Sequence, residues 1–381
     1  MRRRLTARIG VLVAASWALL VLAAGCSLLE GRFEEVADVE AALRQEQEEG
    51  DIPSLCAAVV RDRAIEWEAY FGTADVERQY PAGPNAIYGV ASVSKLVVAT
   101  AAMQLVERGP LDLDADINNY LEFRVRNPAY PDSPITARHL MTHTSGLAWP
   151  LEEIPGFYDD WAWDSAPGLA EWLPEFIVPG GSSYLPVVWK SSAPGERELY
   201  SNIGVSLLGL VIERVSGQAF EEYCRDSIFL PLGMSSTSFS YRDLAQDSLA
   251  RPYSPELEPF RFYRSRAYPA GALKTTVHDL ARFLLAYINR GRLEGTRILS
   301  PESVDELLTL HNPTSGRCLL WTRTVGGWIG HTGGDKAFSA VVEYQPATGV
   351  GLVICTNRWH RSVYHGGRIH ALVSRVATQD D

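Results

Sequence analysis

The fold is constrained most by strand-like apolar runs at opposite ends of the sequence, with helical patterns between them. Leu55 to Val60 and Ile65 to Phe71, separated by Arg61-Asp62-Arg63, read as a β-hairpin. Near the other end, Leu319 to Thr324, Val325 to Ile329, Ala337 to Tyr344 and Val350 to Thr356 read as successive strands. The turn Gln345-Pro346-Ala347-Thr348-Gly349 joins the last two. Phe33 to Glu49 reads as an amphipathic helix packed on the body. Ser92 to Arg108 carries apolar residues at helical spacing and stops at Gly109-Pro110. Val205 to Val215, closed by Ser216-Gly217, and Thr276 to Asn289, with Asp279 in its first turn, are further helices. Strands at both ends and helices between predict an α+β fold (an α/β sandwich). One antiparallel sheet forms from both termini and is flanked by helices, with a mostly helical insertion over roughly 105–265.

Residues 1–25 do not read as part of that fold. Arg2, Arg3, Arg4 and Arg8 precede the apolar run Ile9 to Ala24, and Ala23-Ala24-Gly25-Cys26 follows. This is the order of a secretory signal. A cysteine at the first mature position resembles a bacterial lipoprotein signal, which predicts export to the cell envelope and a lipid on Cys26. Without the leader, 31 basic residues face 46 acidic ones, so the expected mature charge is −15 rather than −11. So acidic a protein does not track phosphate backbones, which argues against a nucleic-acid partner.

Cys56, Cys224, Cys318 and Cys355 remain, and four cysteines allow three pairings. None lies in a CxxC or has a histidine at zinc-site spacing, so neither a metal nor another cofactor is expected. Five of the ten tryptophans fall between Trp149 and Trp189, among Pro, Gly and acidic residues. That segment reads as a long irregular aromatic loop.

Three short motifs carry chemistry. In Ser92-Val93-Ser94-Lys95, residues three apart share a helix face, which sets Lys95 one turn above the Ser92 hydroxyl. Serine needs an adjacent base, and lysine serves only when burial lowers its pKa. With four lysines in the chain, about 0.3 such pairs arise by chance. Alone, the pair also suits a capping serine and a surface lysine, but Leu96-Val97-Val98 beside Lys95 favours burial. Tyr200-Ser201-Asn202 places a potential proton relay beside a side chain able to bind a substrate amide. His331-Thr332-Gly333-Gly334 offers glycines against which a substrate can lie and backbone N–H groups for an oxyanion hole.

Together and in this order, the motifs resemble the serine β-lactamase and penicillin-binding-protein superfamily, above all its class C β-lactamase-like branch of esterases, D-amino-acid peptidases and amidases. His143-Thr144-Ser145-Gly146-Leu147, Pro231-Leu232-Gly233-Met234 and Pro269-Ala270-Gly271-Ala272-Leu273, which leads into Asp279-Leu280-Ala281-Arg282-Phe283, are similar to the same family. The resemblance spans roughly residues 35 to 375. It implies that Ser92 is acylated, Lys95 accepts its proton, Tyr200 handles protons, and Asn202 contacts the acyl amide. It also places His331 beside Tyr200 and the substrate, with Thr332, Gly333 and Gly334 lining the substrate and the N–H groups of Ser92 and Gly334 binding the oxyanion. The implied partner is a small-molecule or peptide substrate bearing an ester, amide or D-amino peptide bond. Penicillin binding and acyl transfer to another acceptor are the other readings. His331 stands where the family often carries lysine, and histidine is largely neutral at pH 7. That points away from antibiotic hydrolysis and from strict carboxypeptidase action.

Overall fold

The computed structural model describes residues 35–149, 161–162, 167–324 and 326–378. The leader, Cys26 and residues 33–34 of the expected first helix lie outside them. Helix α1 covers residues 35–49. Three strands follow, β1 (Ser54–Arg61), β2 (Ala64–Asp75) and β3 (Tyr80–Pro81). Four more come from the far end of the chain: β4 (Thr322–Arg323), β5 (Ile329–Gly334), β6 (Ser339–Gln345) and β7 (Val350–Thr356). They form one sheet in the order β4-β5-β6-β7-β1-β2-β3, antiparallel throughout. The first and last thirds of the chain meet where β1 pairs β7, from Leu55 opposite Thr356 to Arg61 opposite Val350.

The unbroken apolar character of β1 follows from its place in the sheet. Cys56, Ala58 and Val60 point into a large core that includes the helices between the two halves of the sheet. Leu55, Ala57 and Val59 point into a smaller core on the other face. A strand covered on both faces has no reason to alternate polar and apolar residues. Cys56 lies opposite Cys355, yet both are free thiols, as are Cys224 and Cys318.

The main core is built around α2 (Ser94–Arg108), the short α3 (Ala137–Met141), α4 (Leu169–Ile177), α5 (Asn202–Ser216) and α6 (Val277–Ile288). Helix α6 lies on β1, β2, β6 and β7. α7 (Arg368–Thr378) covers the opposite face with α1. Helix α2 stops where Gly109 takes a left-handed conformation, φ 92°.

Two expectations need correcting. The strand expected over Val325 to Ile329 is interrupted: Gly326 and Gly327 turn the chain at φ 87° and 80°, β5 begins only at Ile329, and Val325 lies outside the described residues. His331-Thr332-Gly333-Gly334 therefore lies within a strand rather than between two. The aromatic segment is not irregular throughout, because it contains α4. Leu169, Trp172, Leu173 and Phe176 recur at i, i+3, i+4 and i+7 and are all buried. Pro174 and the following Gly180-Gly181 obscure that period in the sequence.

The packing of α4 has a measurable consequence. Leu173→Ala empties a fully buried position and is expected to cost about 2–5 kcal/mol. Exposed Glu171→Ala should stay within about 0.5 kcal/mol of the parent. Urea unfolding of the two variants checks both, and equal small losses would show that α4 is not part of the core.

Candidate active site

Ser92 sits in a single 3₁₀ turn, Ala91–Val93, that runs directly into α2. The turn is strained, because Ala91 has φ 45°, a left-handed conformation uncommon outside glycine. Ser94 helps hold it. The Ser94 hydroxyl donates to the Ala91 carbonyl at 2.6 Å and accepts the Leu273 N–H at 3.0 Å.

Lys95 has no solvent exposure. Its Nζ donates to Ser92 Oγ at 2.9 Å and to the Ala270 carbonyl at 2.7 Å. Burial pushes this amine well below the ordinary lysine value, and the Arg317 charge lowers it further. Tyr200 is partly exposed, and its hydroxyl donates to Ser92 Oγ at 2.8 Å. Lys95 Nζ lies 4.8 Å from the centre of the Tyr200 ring. Ser92 Oγ is thus contacted by an amine and a phenol at once, the arrangement required to remove a proton from one oxygen and pass it to another.

Strand β5 forms the opposite wall. A Cβ on Gly333 would fall against the Val90 carbonyl and within 3.3 Å of the Ser92 N–H nitrogen. The strand reaches the nucleophile turn only because position 333 has no side chain. The His331 ring lies 6.5 Å from that of Tyr200, and its Nδ1 is 2.6 Å from the Thr332 carbonyl. Burial, then the charge of Lys95 in its protonated form and that of Arg317, hold its pKa well below the usual histidine range, so the ring is neutral at pH 7. Asn202 opens α5, and its buried Oδ1 has no hydrogen-bond partner among the described residues.

Two clefts meet at Ser92 and Gly334. One is narrow and aromatic, bordered by Trp149, Tyr241, Tyr263, Phe338 and Asn202. The other, about 350 Å³, is lined by residues of polar type, Tyr200, Arg317, Thr324, His331, Thr332 and Glu343.

A family model described as beta-lactamase matches residues 39–376. The chain belongs to the beta-lactamase family. Among curated relatives, the esterase EstB of Burkholderia gladioli is 34% identical over 206 residues, covering 53% of this chain and 51% of that protein. A penicillin-binding protein of Bacillus subtilis (strain 168) is 26% identical over 290 residues, covering 69% of this chain and 60% of that protein. The chain therefore spans about half to three-fifths of the length of these relatives. Among solved structures, an octameric penicillin-binding protein homologue from Pyrococcus abyssi matches with a TM-score of 0.69 at 26% identity. That match covers 90% of this chain and 75% of the other. A class C beta-lactamase at 21% identity, with a TM-score of 0.72 over 91% and 97% of the two chains, shares the fold.

The structure brings Ser92, Lys95, Tyr200, Asn202, His331, Gly333 and Gly334 to one locus, and adds two residues from outside the three chemical motifs. His143 packs against Tyr200 with the rings tilted and their centres 4.6 Å apart, and its Nδ1 accepts the Ser201 N–H at 3.2 Å. Burial, then Arg317, Lys95 and His331, keep its pKa well below normal. Arg317 reaches the site from the segment before β4, donating to Glu198 at 3.1 Å and Thr322 at 2.9 Å. His143 lies within a motif noted for its family likeness. Arg317 has no local sequence signal.

Two outcomes follow from this geometry. The folded chain binds fewer protons at Lys95 than the unfolded chain does between the lowered pKa and the ordinary value near 10.5. Stability should therefore rise with pH across that window. Lys95→Met should flatten this rise and be the more stable protein at pH 7, as denaturant midpoints at several pH values will show. Gly333→Ala should displace β5 from the Ser92 turn and slow acylation by a fluorophosphonate about 10²-fold. Unchanged labelling would mean that the contact does not set the site.

Proposed function

We propose that this protein is an exported serine hydrolase that cleaves esters or amides of apolar acyl groups through an acyl-Ser92 intermediate. The observation that carries the reading is Ser92 Oγ held between the buried, pKa-lowered Lys95 at 2.9 Å and Tyr200 at 2.8 Å. In this mechanism the neutral Lys95 amine takes the Ser92 proton as Oγ bonds to the substrate carbonyl carbon. The N–H groups of Ser92 and Gly334 stabilise the resulting oxyanion. Tyr200 gives its proton to the leaving group, the carbon–leaving-group bond breaks, and the Lys95 ammonium returns a proton to Tyr200. Water then attacks the acyl-enzyme by the reverse path and frees Ser92 and the acid.

The two clefts support a division of the substrate. Tyr200, the proposed donor to the leaving group, borders the polar cleft. The acyl group then falls to the aromatic cleft, where the unpartnered Asn202 Oδ1 suits an acyl amide N–H. A neutral His331 in place of a permanent cation favours esters over antibiotic lactams, and the esterase among the relatives fits that direction. Arg317 on the leaving-group side favours a second reading, a peptide ending in a carboxylate. Export and lipidation at Cys26 are further proposals that rest on the leader sequence.

The test is labelling and turnover together. A fluorophosphonate should add one adduct that Ser92→Ala abolishes. p-Nitrophenyl esters of medium-chain acids should turn over at least tenfold faster than the acetate, with a chromogenic cephalosporin slower still. An adduct that survives Ser92→Ala would overturn the nucleophile. A stable penicilloyl adduct without product would mark a binding protein, and acceleration by added alcohol or amine would mark a transacylase.

A further inference from the structure

We propose that Glu343, His365 and His370 form a binding site for a transition-metal ion of the zinc type beneath the C-terminal helix. This departs from the expectation of no metal. That expectation weighed cysteines and their neighbouring histidines, whereas this set contains no cysteine and takes one ligand from a strand.

The three donors come from three elements. Glu343 lies on β6, facing the smaller core, and is 2% exposed. His365 stands in the turn before α7, and His370 in the first turn of α7. Nε2 of His365 lies 2.6 Å from one carboxylate oxygen, and Nε2 of His370 lies 2.7 Å from the other. The two rings are 4.2 Å apart, and one ligand atom from each residue lies within 4.8 Å of the others. Around an ion with bonds of about 2.0–2.1 Å, tetrahedral ligands stand roughly 3.3 Å apart. The hydrogen-bonded nitrogen–oxygen separations are shorter than that, so a metal asks these pairs to open rather than to be brought together. Two imidazoles and a carboxylate are a zinc donor set, and imidazole also suits cobalt and nickel.

The surroundings are shaped for this convergence. The chain doubles back at Gly366, φ 81°, and a Cβ on Gly367 would fall against the Ser362 carbonyl, so only glycine permits the turn that aims His365 inward. The Ser374 hydroxyl lies 3.4 Å from Nδ1 of His370, where it can accept a hydrogen bond from the Nδ1–H tautomer, the one whose Nε2 is free to ligate a metal. His365 is the exposed member of the group and opens it to solvent, the entry path an ion needs. An ion here would tie α7 to the strand that pairs with β5.

The inference does not depend on acyl chemistry, so it is tested in the untagged full-length protein carrying Ser92→Ala. After equilibration with zinc chloride and dialysis, elemental analysis should find one zinc per chain. Cobalt should give the visible absorption of a four- or five-coordinate site. Zinc, but not magnesium, should raise the melting temperature. His365→Ala alters an exposed residue and leaves the core intact; it and His370→Gln should each weaken zinc binding at least tenfold. No stoichiometric zinc, or retention undiminished in both variants, would overturn the site.

Discussion

The site depends on one costly arrangement, an amine with no exposure to water held between a serine hydroxyl and a main-chain carbonyl. A lysine in that position loses its hydration and recovers only two hydrogen bonds, at 2.9 and 2.7 Å. The neutral form avoids most of the loss, and the neutral form is the one able to accept a proton from Ser92. Burial of Lys95 therefore creates the base. Burial requires the apolar α2, and α2 is fixed by the helices and sheet around it. The Ala270 carbonyl that receives the second hydrogen bond belongs to the Tyr268–Gly271 turn, on the same segment as the Leu273 N–H that Ser94 holds. A distant segment thus sets both the nucleophile turn and its base.

The sheet positions the other half of the site. Its central strands, apolar on both faces, fix β5 relative to α2, and the missing side chain at Gly333 lets that strand meet the turn at Val90 and Ser92. The pairing of β1 with β7 brings the two ends of the chain together. Residues 92, 200 and 331 can meet only because that closure is made.

The sheet, its assembly from both ends and most helices were legible, because they rest on periodicity, turn chemistry and helix stops that act locally. The motif residues were legible because their order matches a known pattern. Other features were hidden for physical reasons. Helix α4 carries a clear 3.6-residue stripe, but Pro174 and nearby glycines made it resemble a loop. The strand register around Gly326-Gly327 was misplaced because two left-handed glycines make a turn inside an apolar stretch. Arg317 acts through space on Lys95, His143 and His331, and no spacing in the sequence records such a relation.

Arg317 also gives a physical context for histidine at position 331. A lysine there would put a second permanent cation around a buried amine that must stay neutral, and around a His143 ring already held neutral by burial. Arg317 supplies the positive charge of this side of the site, tempered by Glu198 at 3.1 Å. His331 adds a polar ring that carries no charge at pH 7. The positive potential thus comes from a guanidinium that cannot lose its proton, while the groups nearest Ser92 stay free to exchange theirs. The departure at the third motif and the unforeseen arginine are two halves of one electrostatic arrangement.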